Sequence, residues 1–131
     1  MRRELLGDAH PSVATSLSQL AQLALDQQRL DDAEKFAREC LAIREKKLPD
    51  NWQTFSAKSL LGGVLLAQKK YTDAEPQLLS GYQGLKRLEE KIPVSSKKAV
   101  KETVARLVKL YEETGRSQQT ADWKQKLAEL K

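Results

Sequence analysis

The stretch QQRLDDAEKFA at residues 27–37 is echoed by QKKYTDAEPQL at residues 68–78, 41 positions downstream. Each copy carries a polar pair, an Arg or Lys, one larger residue and then x-Asp-Ala-Glu. An active site has no use for two copies at that interval, whereas an array of stacked supersecondary units does. The repetition therefore predicts an all-α, right-handed superhelical stack of antiparallel helix pairs, about seven helices counting a truncated first one.

The apolar periodicity fills in the units. Between residues 11 and 27, Val13, Leu17, Leu20, Ala21, Ala24 and Leu25 recur in steps of three and four, the period of an amphipathic helix. Pro11 suits a first helical position, with His10 in the N-cap neighbourhood. Asp31 with Glu34, and Thr72 with Glu75, have the spacing of capping boxes and place two further helix starts. Phe36, Cys40, Leu41 and Ile43 carry the second helix to Leu48-Pro49, where the residue before proline leaves the helical region. Asn51 opens the next helix, residues 52 to about 69, and the helix from 72 to about 91 follows a turn at Lys70-Tyr71, with Pro76 assigned to its first turn. A third unit has Val104, Leu107, Val108 and Tyr111 on one face, the turn ETGRS and a closing helix at 117–130, with Thr120 in the Ala position and no Glu to complete the cap.

The first residues align with residues 43–52, Arg2 on Arg44, Leu6 on Leu48 and Asp8 on Asp50. One domain is thus expected over 1–131: residues 1–8 end a truncated upstream repeat, and 10–50, 51–93 and 94–131 form three repeats, the last with its capping helix. On this reading the chain is the carboxyl-terminal piece of a longer protein, closed by the polar ADWKQKLAELK. Its other end is open over Leu17, Leu20 and Leu25, which leads us to expect self-association there.

Composition narrows the function classes. The chain has 131 residues, 40% hydrophobic and 31% charged, which is too apolar for a disordered chain. A lone cysteine leaves neither a disulfide framework nor a zinc site and fits a reducing, cytoplasmic setting. No apolar run reaches the length of a signal peptide core or a membrane span. The net charge of +5 allows an alternative reading as a nucleic-acid-binding helical array. However, Lys69, Lys70, Lys86, Arg87, Lys97, Lys98 and Lys101 are interspersed with acids such as Glu89 and Glu90, the pattern of a solvated surface.

Catalytic signatures do not occur: there is no GxxxxGK[ST], HExxH or GxSxG. Gly62-Gly63, set among Leu and Val, suits close helix packing better than a phosphate loop. His10 has no second His and no Cys beside it, and Cys40 holds a repeat position that wants a small buried side chain. Glu34 and Glu75 read as caps rather than paired catalytic carboxylates, and Trp52 and Trp123 as packing residues. We therefore expect no enzyme activity, cofactor or metal.

Small residues recur at Ala21 and Gly62, at Ala33 and Ala74, and at Cys40 and Gly81, where antiparallel helices approach closely, with Leu20 or Leu61 before the first of them. This pattern resembles the tetratricopeptide repeat. HPSVATSLSQLAQLALDQQRLDDAEKFARECLAIREK looks like the longer repeats of the kinesin-light-chain type, and SLLGGVLLAQKKYTDAEPQLLSGYQGLKRLEEKIP like those following the kinase domain of many bacterial serine/threonine protein kinases. Ala24 and Leu65 stand where the family often has Tyr, and Lys58 at a usually apolar position.

The resemblance implies a signalling scaffold that binds a protein or peptide along a concave groove lined by the first helix of each pair. The groove positions expected to be exposed are Thr15, Ser18, Gln22 and Asp26; Ser56, Ser59, Gly63 and Leu66; and Glu102, Arg106, Lys109 and Glu113. The first two sets lack the Lys and Asn arrangement with which some family members clamp a terminal carboxylate, so chaperone tails are not the expected ligand.

Overall fold

The computed structural model describes residues 11–130, and among these it contains six α-helices and no strand. They are α1 (Pro11–Asp26), α2 (Leu30–Lys47), α3 (Trp52–Ala67), α4 (Tyr71–Arg87), α5 (Lys98–Glu113) and α6 (Ser117–Glu129). Two 3-10 turns, Glu89–Lys91 and Val94–Ser96, bridge α4 to α5. The expected helix at residues 2–6 and the role of His10 lie outside the described residues.

Successive helices pack as pairs, α1 with α2, α3 with α4 and α5 with α6, while α1, α3 and α5 also touch in succession. The inner faces explain how closely they approach. Ala14, Ala21 and Ala24 of α1 meet a seam containing Ala33, Ala37 and Cys40 of α2, all buried. In the second pair the positions of Ala21 and Cys40 become Gly62 and Gly81. A methyl on Gly62 would lie 2.6 Å from Leu78 Cγ, and one on Gly81 would lie 2.9 Å from the Phe55 carbonyl oxygen. The α3 helix is buried nearly all round, from Thr54 and Ala57 through the run Ser59 to Leu66, as a central element must be. A satellite core of Leu85, Ile92 and Val100, with Trp52 and Phe55 against it, fills the space beneath the α4–α5 connection.

Each pair is closed by the same turn. Gln28, Lys69 and Gly115 adopt left-handed backbone, with φ of 63°, 64° and 72°. In each, the following residue donates its N–H five residues back, Arg29 to Ala24, Lys70 to Leu65 and Arg116 to Tyr111. That same residue's carbonyl then accepts the first bond of the next helix, from Ala33, Ala74 and Thr120, each at 2.9 Å.

This turn corrects the expected capping boxes. The second helices begin at Leu30 and Tyr71, and their N-cap residues, Arg29 and Lys70, make no side-chain cap bond. Asp31 and Thr72 lie one residue inside the helix because the left-handed turn already satisfies the chain entry. Glu34 and Glu75 are thereby freed for other partners. Pro76 correspondingly lies in the second turn of α4, not the first. Asn51 does cap α3, its side chain accepting from the Gln53 N–H at 2.8 Å. The α4 helix ends at Arg87 rather than near residue 91, the last residues tightening into a 3-10 turn before Ile92-Pro93. Leu20, expected on the buried face of α1, is 44% exposed, and Leu23 one turn on is 53% exposed.

Candidate binding groove

The α1, α3 and α5 helices enclose a cleft of ≈ 480 Å³. Its walls are Ser18, Gln19 and Gln22 from α1 and Lys98, Glu102 and Arg106 from α5, and its floor is Ser56, Ala57 and Leu60 from α3. Ser96 closes one side, and Arg44 enters from α2.

Arg106 is held by a directed chain of hydrogen bonds. Its guanidinium donates to Ser59 Oγ at 2.9 Å, the Ser59 and Thr103 hydroxyls meet at 2.6 Å, and Thr103 donates to the Ala99 carbonyl at 2.7 Å. The side chain lies over Gly63, where a methyl would come within 2.7 Å of Nε. Burial pulls the Arg106 pKa below its ordinary value while nearby Glu102 pushes the other way. Arg44 is buried and donates to the Gln53 carbonyl at 3.2 Å, so its guanidinium is fixed between α2 and the start of α3. It also lines a smaller cavity of ≈ 160 Å³ with Ser12, Thr15 and Gln53.

Of the twelve expected groove residues, Ser18, Gln22, Ser56, Glu102 and Arg106 come together in the cleft. Thr15 lines the neighbouring cavity, and Asp26 accepts from Gln22 Nε2 at 3.0 Å. Ser59, Gly63 and Leu66 are buried, which corrects their expected exposure. Ser59 and Gly63 are covered by Arg106. Leu66 belongs to the main core. Lys109 and Glu113 form an exposed pair 3.9 Å apart, and Glu113 accepts from the Tyr71 hydroxyl at 2.7 Å.

Arg44, Lys98, Gln19 and Ser96 were not among the expected residues. For Arg44 the cause is physical: a basic residue in the last turn of a helix is ordinary, since it complements the helix dipole. The one signal was its correspondence with Arg2 at the repeat offset.

The other singled-out residues have structural surroundings. Cys40 is fully buried, and burial pushes its thiol pKa up, which disfavours the reactive thiolate. Trp123 meets Tyr82 edge to face with ring centroids 4.8 Å apart. Lys58 donates to Ser80 Oγ at 3.0 Å and lies over the Phe55 ring. Among the described residues there is no group of three or more His, Cys, Asp or Glu side chains placed to hold a metal ion, and no helix is long and apolar enough to cross a membrane.

The tetratricopeptide repeat family model matches residues 1–46. With the all-α stack of helix pairs, the match supports a tetratricopeptide-type repeat protein. Such repeats generally mediate protein–protein interaction and act as non-catalytic scaffolds. No curated protein matches the chain closely enough to count as a relative.

Proposed function

We propose that this chain is a non-catalytic interaction module that seats an extended or helical segment of another protein in the cleft between α1, α3 and α5. The observation that carries the reading is the cleft itself: three first helices contribute to one concavity, whose floor of Ser56, Ala57 and Leu60 leaves room for a main chain. Hydroxyls and amides from Ser18, Gln19, Gln22 and Ser96 supply hydrogen-bonding groups along its walls. Asp26, Thr15, Lys109 and Glu113 are assigned to the margins of this surface.

The finer assignments are proposals on the same footing. The repeats are of the kinesin-light-chain type, divided as 10–50, 51–93 and 94–131, and the module serves a bacterial signalling protein of the serine/threonine kinase class, as the resemblance of residues 59–93 supports. A cytoplasmic setting is supported by the single, buried thiol of Cys40. Self-association at the end near Met1 would use the exposed Leu20 and Leu23.

The test is a selection of displayed twelve-residue peptides against the full chain, followed by binding measurements on the double variant Gln22→Trp, Ser56→Tyr. Both positions face the cleft without belonging to the buried core, unlike Ser59. Selected peptides should lose at least about tenfold in affinity while the circular dichroism and Tm stay near those of the parent. Unchanged binding would move the interaction surface elsewhere. Equal capture of generic DNA or RNA, weakening steeply with salt, would favour a nucleic-acid array instead.

A further inference from the structure

Several cations of this chain are matched by an acid. Lys70 lies 3.1 Å from Glu34, Lys86 3.0 Å from Glu89, Arg87 2.6 Å from Asp50, Arg116 2.8 Å from Glu75 and Lys124 3.0 Å from Glu112. The cleft gathers cations that are not. Arg44, Lys98 and Arg106 all line it, and among the described residues none of the three forms an ion pair. The one acid in the lining is Glu102. Two of the three cations are also immobilised, Arg44 by the Gln53 carbonyl and Arg106 by Ser59. A partly desolvated guanidinium bonded only to neutral oxygens retains donors that suit an oxyanion, and burial makes that pairing stronger than at the surface.

We infer that the cleft recognises an acidic protein segment, two of whose side-chain carboxylates pair with Arg44 and Arg106 while its main chain crosses the floor of α3. This inference rests on the reading of the cleft as a peptide groove. The placement of the cations argues for separate carboxylates rather than one phosphate. Arg44 stands where α2 and α1 meet the start of α3, whereas Arg106 lies on α5 above Ser59 and Gly63, on the other flank of the floor. Each planar fork can take one planar carboxylate in a two-pronged contact. A doubly charged phosphate suits converging cations, and beside Arg106 it would meet Glu102. Lys98, exposed at the start of α5, adds attraction sensitive to salt.

The same displayed twelve-residue library, selected against the full 131-residue chain, tests this. The selected peptides should be enriched in Asp and Glu at two or more positions, and their Asn and Gln counterparts should bind at least about tenfold more weakly. Lys98→Gln should weaken binding about threefold and Glu102→Gln should tighten it about threefold, opposite signs that a general loss of folding would not produce. Arg106→Lys, which keeps the charge but loses the fork, should cost about fivefold or more at unchanged Tm. Cleft-dependent peptides of neutral or basic composition would overturn the acidic preference and leave the groove reading standing. Peptides indifferent to Gln22→Trp, Ser56→Tyr would sink both. Phosphoserine peptides binding more than tenfold tighter than their Glu counterparts, or single-stranded DNA displacing the acidic peptides at equal charge, would also overturn the assignment to carboxylates.

Discussion

Arg116 grips both carboxylate oxygens of Glu75, at 2.8 and 3.0 Å, across 41 residues of chain. Glu34 stands in the same relation to Lys70, at 3.1 Å. Both acids belong to the second helix of one pair, and both bases are the turn residues that open the second helix of the next. The recurring Glu that looks like a cap in the sequence is therefore a tie between repeats.

Removing the tie at Glu75 should be felt beyond the ion pair, because Tyr111 also donates its hydroxyl to Glu75 at 2.8 Å. Glu75→Ala leaves that part-buried hydroxyl without its acceptor and is expected to cost about 1–2 kcal/mol by urea denaturation. A double-mutant cycle with Arg116→Ala should show favourable coupling that shrinks in high salt. Independent, additive effects would mean that the contact contributes nothing to stability.

Acid should weaken the stack through the same glutamates. The Arg38 contact at 2.7 Å holds the Glu34 carboxyl down at about 2, with burial opposing and Lys70 assisting. Arg116 holds Glu75 below the ordinary 4.5, again against burial. A folded-state pKa below the unfolded one gives stability that is fully present above the ordinary carboxylate value and is lost as pH falls through the folded value. Tm should therefore decline from about pH 5 toward pH 2, and Glu34→Gln should flatten part of that slope. An identical slope in the variant would contradict the assignment.

Lys69 occupies left-handed backbone at φ 64°, a conformation that costs a residue with a Cβ about 1–2 kcal/mol and glycine very little. After allowing for the greater freedom of glycine in the unfolded chain, Lys69→Gly should stabilise by about 0.5–1 kcal/mol. Its ion pair with Glu113 is long, 3.9 Å, and exposed, so little is lost. A fall in Tm would show that the lysine does more than close the turn.

Gly81 answers the opposite question. Its Cα lies so near α3 that a methyl would come within 2.9 Å of the Phe55 carbonyl and 3.1 Å of the Ser59 backbone nitrogen. Backbone cannot swing aside as a side-chain tip would. Gly81→Ala should therefore destabilise by about 1–2 kcal/mol despite the better helix propensity of alanine. A stabilised variant would mean that α3 and α4 separate easily.

Much of the architecture was legible because the packing seam repeats. Small residues at Ala21 and Gly62, Ala33 and Ala74, and Cys40 and Gly81 carry the helix pairing in their spacing, and all are buried. The caps of the second helices were misplaced by two residues because Gln28 and Lys69 give no compositional hint of left-handed backbone, unlike Gly115. Within the cleft, Ser18, Gln22 and Ser56 could be read from helical phase. Ser59, Gly63 and Leu66 could not, because their cover comes from Arg106 and other parts of the chain far away in sequence. Arg44 was missed for a related reason: whether a basic residue ends a helix or faces a cleft depends on the neighbour it meets.

The ties between repeats also give the array a direction. Each carries its acid on the earlier pair and its base on the later one, and five residues beyond Arg116, where Glu34 and Glu75 stand relative to Arg29 and Lys70, the chain has Ala121. The pairs are consequently not interchangeable beads. If the last were spliced ahead of the second, Lys70 would face an alanine and Arg116 would meet Glu34, so the order of the units is written into the contacts that join them.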